Sequence, residues 1–200
     1  MEEILRISLP IYFIFYFGIV FLLKSFIVGK RIGKSPFVLP NNDSIYGLIG
    51  RYFKIIFTSL FVYIALFSIF PNLYQNFLPV EFLETEFIKF MGIGFLIVSL
   101  IWTIIAQNQM KNSWRMGIDT NTKTELIKKG LFKFSRNPIF LGLIFSLVGL
   151  FLVTPNTITV IILILGYVLI QVQIRLEEAF LIDQHTTDYT AYQQKVRRFI

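Results

Sequence analysis

Five apolar runs, each close to the length a bilayer demands, constrain this chain more than any other feature. A hydrocarbon core of about 30 Å takes roughly 20 apolar residues as helix. The runs Leu9–Val28, Tyr52–Phe70, Ile88–Ala106, Pro138–Val153 and Thr157–Ile174 approach that length. The expected fold is all-α: an integral membrane protein with about five transmembrane helices, a C-terminal span hairpin and a cytoplasmic amphipathic helix. Residues 1–200 form one membrane domain, with three spans in 1–106 and the hairpin in 107–200. Composition agrees: 55% of the 200 residues are hydrophobic, only 16% are charged, and Phe alone occurs 23 times. A soluble domain of this size carries more charge.

Several chemistries are excluded at once. There is no Cys, so no disulfide, thiol nucleophile or thiolate metal site exists. A multi-histidine metal centre is ruled out because His185 is the single histidine. The net charge of +7 lies in the segments between apolar runs. That distribution reads as membrane topology, not as a nucleic-acid surface. The start, Met1-Glu2-Glu3, lacks the basic region and cleavage site of a secretory signal. The first apolar run is therefore expected to stay in the mature protein.

Orientation follows from the basic residues. Segment 29–51 carries Lys30, Arg31, Lys34 and Arg51. Segment 107–137 carries Lys111, Arg115, Lys123, Lys128, Lys129, Lys133 and Arg136. Segment 71–87 carries Glu81, Glu84 and Glu86 and no Lys or Arg, and the 154–156 turn is uncharged. The expectation is an N-terminus outside and a C-terminus in the cytoplasm, in a bacterial inner membrane. Most of the loop lysines read as orientation signals and contacts to anionic lipid. Lys24, late in the first span, is expected to snorkel to the interface.

The short Thr154-Pro155-Asn156 connection makes the last two spans antiparallel neighbours. Counted from Pro155, Asn137 lies 18 residues back and Glu177 lies 22 residues on. At helical rise these are roughly 27 and 33 Å from the turn, so both reach the same interface. Pro138 suits the first turn of the fourth span, where its missing N–H costs nothing. The free N–H groups of a helix start favour an anion, whereas Glu177 and Glu178 favour a cation or hydroxyl donors. Successive helical residues point about 100° apart, so one of the two carboxylates is expected to face the cleft.

This combination resembles the membrane methyltransferase family that includes isoprenylcysteine carboxyl methyltransferases and phospholipid N-methyltransferases. The matching residues are Leu126-Ile127-Lys128-Lys129-Gly130-Leu131-Phe132, then Arg136-Asn137-Pro138-Ile139-Phe140-Leu141-Gly142, then Glu177-Glu178-Ala179-Phe180-Leu181. Tyr189, Tyr192, Val196 and Arg198 match the family's final helix, and Trp114-Arg115 also looks familial. The resemblance covers residues 107–200. Two positions depart from the family pattern: Asn137 replaces a His and Phe140 replaces a Tyr.

The resemblance implies S-adenosyl-L-methionine as methyl donor, entering from the cytoplasm. The acceptor would be a lipophilic small molecule or lipidated substrate entering from the bilayer: an isoprenylcysteine-like carboxylate or related lipid, with a phospholipid amine also left open. Catalysis would rest on positioning, with no residue assigned as acid or base. Thr124, Glu125, Leu126, Ile127 and Phe132 would line the adenine and ribose pocket. Arg136, Asn137 and the Pro138 turn, with Phe140 beside them, would hold the methionine end. Glu177 would bind the ribose or amino group, with Glu178 as neighbour or orienter. Arg175 and Gln173 would meet an anionic acceptor, and Gly142 would permit close helix packing. No metal is implied.

Plainer readings cover the rest. Trp114 reads as an interfacial aromatic and His185 as an exposed loop residue. Tyr189, Tyr192, Val196 and Phe199 recur near helical spacing and would seat a short amphipathic helix. Residues 1–106 offer packing and lipid-facing surface without evident chemistry. Two other functions fit the same pattern. A sterol-reductase-like enzyme, which resembles the same hairpin arrangement, would use NADPH. A small transporter or scaffold would be non-enzymatic, although transporters usually show internal repeats and intramembrane polar residues. The sequence leaves the oligomeric state open.

Overall fold

The computed structural model describes residues 1–40, 42–119 and 124–200; Lys123, one of the loop charges above, lies outside them. The helices are α1 (Glu2–Phe17), α2 (Lys24–Ile32), α3 (Ile45–Ile69), α4 (Glu86–Met110), α5 (Pro138–Val153) and α6 (Thr157–Lys195). A π-helical turn at Gly18–Leu23 joins α1 to α2. Among the described residues there is no strand, only two isolated backbone pairings. Four helical stretches are long and apolar enough to cross a membrane: Glu2–Ile32, α3, Glu86–Ser113 and α6. The chain is thus an all-α integral membrane protein. The fourth expected span, α5, is a shorter apolar helix of 16 residues, about 24 Å long.

Local chemistry fixes the helix starts. Ser44 caps α3 by accepting from the Gly47 N–H at 3.2 Å. Pro138 occupies the first position of α5. Asn156 and Thr159 form a reciprocal capping box at the start of α6, with bonds of 3.1 and 3.2 Å. Asn156 also donates to the Tyr63 hydroxyl at 2.7 Å, tying the hairpin turn to α3.

The expected short C-terminal helix is present: the backbone of α6 leaves helical geometry at Thr186 (φ 12°, ψ −87°), and a second helical piece follows it to Lys195. His185, expected as an exposed loop residue, directly precedes this kink and is half-buried. Lys24 is buried at 7% exposure, and its ammonium donates at 3.0 Å to Oδ1 of Asn108, an exposed residue in the last turn of α4.

The α4–α5 seam is the closest packing in the bundle, because glycines face it. A Cβ on Gly92 would meet Val153 Cγ2 at 2.7 Å, and one on Gly149 would meet Leu96 at 2.9 Å. Gly142 is backed by Thr103 in the same way. Small residues that let backbones approach are the usual solution where lipid offers no hydrophobic drive between helices.

Loops segregate to two ends, as the charge pattern predicts. Lys89 Nζ lies 2.6 Å from Glu84 and 3.8 Å from Glu2, and the Val80 N–H reaches the Pro155 carbonyl at 2.8 Å. These contacts gather the acidic segment, the N-terminus and the hairpin turn at one end. At the other, Val38 N–H donates to the Met116 carbonyl at 2.9 Å and Arg136 N–H to the Arg197 carbonyl at 3.0 Å. The two basic segments and the C-terminal residues share that end.

Candidate functional site

At the basic end, the start of α5, the middle of α6 and the C-terminal segment are clamped together. Glu178 is the centre: 4% exposed, it accepts from Arg136 Nη2 at 3.0 Å, Arg198 Nη2 at 2.7 Å and Asn137 Nδ2 at 3.2 Å. Arg136 also donates to the carbonyl of Gln193 at 3.2 Å and to that of Val196. Asn137 and Ser135 both reach the Arg198 carbonyl at 3.3 Å. The Glu178 carboxylate, hydrogen-bonded to Arg198, holds that guanidinium above its ordinary pKa. Every partner in this group is charged or a good donor, so the buried carboxylate is compensated, as burial requires.

Glu177 points elsewhere. It lies in the walls of two adjoining cavities. The larger, about 140 Å³, is mostly aromatic and aliphatic, lined by Phe21, Phe53, Phe57, Leu143, Trp114 and Phe140 together with Gln173. The second, about 100 Å³, is more polar, with Ser113, Asp119 and Thr124 in its walls beside Phe180 and Leu181. Met110, Arg115, Gly117 and Glu177 belong to both walls and form the junction. Arg115 is held by Asp119 at 3.3 Å and by the carbonyls of Asn112 and Trp114 at 2.7 and 2.9 Å. Glu177 Oε1 accepts from Gln173 Nε2 at 2.8 Å. A third, small cavity of about 30 Å³ continues the apolar one deeper into the bundle, sharing Phe53, Phe57 and Leu143.

The expected site residues therefore separate into groups. Glu177, Phe140, Gln173 and Thr124 are cavity walls. Arg136, Asn137 and Glu178 meet one another in the clamp. Pro138 is buried and its carbonyl accepts from Trp102 Nε1 at 2.9 Å. Phe132 is buried, its carbonyl accepting from the Tyr192 hydroxyl at 2.5 Å. Leu126 and Ile127 are half-buried, while Glu125 is exposed. Arg175 is also exposed and bonded to Gln171, away from Gln173 and Glu177.

Some wall residues had no functional expectation. Trp114, read as an interfacial aromatic, is 3% exposed in the cavity wall. Phe21, Phe53 and Phe57 come from the half of the chain without evident chemistry. The π-turn places Phe21 there, and the carbonyl of Val20 within it is satisfied by Gln107 Nε2 at 2.8 Å. Insertions of this kind often mark functional positions. A Gly18 followed by five apolar residues is the sole sequence trace of it. Leu39 reaches the cavity because segment 36–39 pairs with Met116 and packs on Gly117 (φ +98°), where a Cβ would meet Leu39 at 3.1 Å.

No curated protein and no solved structure matches the chain. A family model described as "Protein of unknown function (DUF1295)" matches residues 44–196, which include α3 to α6 and both larger cavities' junction. The chain belongs to the DUF1295 family.

Proposed function

We propose that the protein transfers a methyl group from S-adenosyl-L-methionine to a lipophilic acceptor at the cytoplasmic membrane face. One observation carries this reading: an apolar cavity and a polar cavity share a wall at Glu177 and Arg115. Two reactants of opposite solubility need such a junction, and a positioning enzyme has little else to provide. The family's association with steroid 5-alpha-reductase and membrane methyltransferase-like proteins is compatible with it.

The polar cavity suits an adenosyl donor by its chemistry. Asp119, Thr124 and Glu177 offer acceptors for ribose hydroxyls and an amino group, and the Phe180 ring offers a face for a base. The donor supplies an activated methyl on a sulfonium. Glu177 orients it from the junction, the apolar walls keep water from the acceptor, and the Glu178 clamp sets the direction of Glu177. Basic segments 29–51 and 107–137 favour the cytoplasmic side for this end.

An NADPH-dependent reductase is the competing reading. Calorimetry on the detergent-purified protein separates the two. S-adenosylhomocysteine should bind and NADPH should not; the opposite result establishes the reductase. Binding of neither favours a non-enzymatic membrane protein.

A further inference from the structure

One buried cation lacks a counter-charge among the described residues. Lys24 is 7% exposed, and its ammonium donates to a neutral group, Asn108 Oδ1, at 3.0 Å. That leaves donors of the ammonium unused. The ion-paired carboxylates of the basic end are engaged elsewhere: Asp119 with Lys34 and Arg115, Asp43 with Arg51, Asp188 with Lys128, and Glu178 with Arg136 and Arg198. The charged side chain that acts on Lys24 is Arg31, seven residues on along α2 and of the same sign. Taking an ammonium out of water without an opposite charge is costly. The balance calls for an anion from outside the chain.

Its place in the fold says which anion. Asn108 is exposed in the last turn of α4, so Lys24 lies level with the end of a spanning helix, at the depth of lipid headgroups. The Asn108 amide can donate through Nδ2 to the anion that Lys24 attracts. Toward the membrane centre, Ile105 and Ile101 stand three and seven residues from Asn108 on the same face of α4. Both are exposed. Apolar surface therefore runs from the membrane interior up to the buried ammonium. A phospholipid matches both parts, its phosphate oxygens to the cations and an acyl chain to the isoleucines.

We propose that the seam between α2 and α4 binds one anionic phospholipid, its phosphate on Lys24 and Arg31 and one chain along Ile105 and Ile101. The site is separate from both larger cavities and independent of the transferase reading. It nevertheless adjoins the larger cavity. Gln107, the neighbour of Asn108, lines that cavity and bonds the Val20 carbonyl in the π-turn. Lys24 directly follows the same turn, which carries Phe21 into the cavity wall. A lipid held at Lys24 steadies that wall from outside.

The test is native mass spectrometry of the full chain in detergent, with phosphatidylglycerol and phosphatidylcholine of identical acyl chains supplied in equal amounts. Phosphatidylcholine carries the same phosphate but cancels its charge. Wild type should retain one phosphatidylglycerol about thirtyfold more tightly than phosphatidylcholine, the factor that two basic side chains at a membrane surface supply. Lys24→Met should remove that preference and Lys24→Arg should keep it. Arg31→Gln should lower it about fivefold, whereas Lys30→Gln, at an exposed neighbour, should leave it unchanged. Glycerol phosphate offers the headgroup without chains and should not displace the lipid. No preference in wild type, an unchanged preference in Lys24→Met, or an equal loss in Lys30→Gln overturns the proposal. Displacement by glycerol phosphate overturns the lipid as occupant. Should Lys24→Met fail to fold, the contrast between Arg31→Gln and Lys30→Gln decides.

Discussion

Two adjacent glutamates should fail in opposite ways. The Glu178 side chain is 6% exposed and faces the Arg136 side chain, 10% exposed, at 3.0 Å. Removing one partner of such a buried pair strands the other charge and costs about 3–5 kcal/mol. Arg198 adds little to that figure, since its side chain is 35% exposed and partly hydrated. At about 2–4 °C per kcal/mol for a chain of this size, Glu178→Ala should lower the melting temperature by about 6–20 °C. Glu177→Ala loses one hydrogen bond from Gln173, a net cost of about 0.5–1.5 kcal/mol, or about 1–6 °C. It should nevertheless abolish binding of S-adenosylhomocysteine, because it removes the acceptor at the junction of both cavities. Thermal unfolding in one detergent, followed by calorimetry on each variant, measures both effects. A Glu177→Ala protein that melts far below wild type, or binds the ligand normally, refutes the division of labour. So does a Glu178→Ala protein as stable as wild type.

Other perturbations probe the frame around the site. Gly149→Leu should force α4 from α5, since even a Cβ there meets Leu96 at 2.9 Å; a loss of about 1–3 kcal/mol is expected in detergent melts, and an unchanged melt would dismiss the seam. Asn156→Ala should cost about 1 kcal/mol for the lost cap and about 1 kcal/mol more for the Tyr63 hydroxyl left bare, with the double-mutant cycle against Tyr63→Phe reporting a coupling of that size. The natural sequence contains no Cys, so single replacements map topology cleanly. Glu81→Cys should react with an impermeant maleimide in intact cells and Lys128→Cys only after lysis, and the reverse pattern inverts the orientation. Arg198→Ala should weaken S-adenosylhomocysteine binding several-fold by loosening Glu178, and unchanged affinity by calorimetry would show that the clamp does not orient Glu177.

The spans and the two-ended distribution of charge were legible because hydrophobic length and loop charge are properties of contiguous residues. The meeting of Asn137 with the Glu177-Glu178 pair was legible too, since a tight Pro/Asn turn and a constant rise put both at one depth. What could not be read was direction. The same two carboxylates sit about 100° apart on a helix, and which one faces a cavity depends on Arg198, twenty residues further on. The walls supplied by Phe21, Phe53 and Phe57 were hidden for another reason. In a chain rich in Phe, a ring facing lipid and a ring facing a cavity are the same letter. Only tertiary packing, here aided by the π-turn, sorts them.

The clamp also explains how a cavity can be placed accurately on so long a helix. A helix can rotate about its axis at little cost when its surroundings are uniformly apolar, and a rotation of one residue would swing Glu177 out of the junction. In α6 the start and the middle are fixed by polar contacts that have no apolar substitute. At the start Asn156 bonds Tyr63 and Thr159. In the middle, Glu178 binds two guanidinium groups and an amide. Between them lies the apolar stretch, where Gly166 sits against Leu147 with a Cβ clearance of only 2.6 Å. With rotation stopped at these two points and close packing between them, the carboxylate beside the clamp has one direction available. Glu178 thus spends its charge on structure, and that fixes the direction in which the Glu177 side chain meets the two cavities.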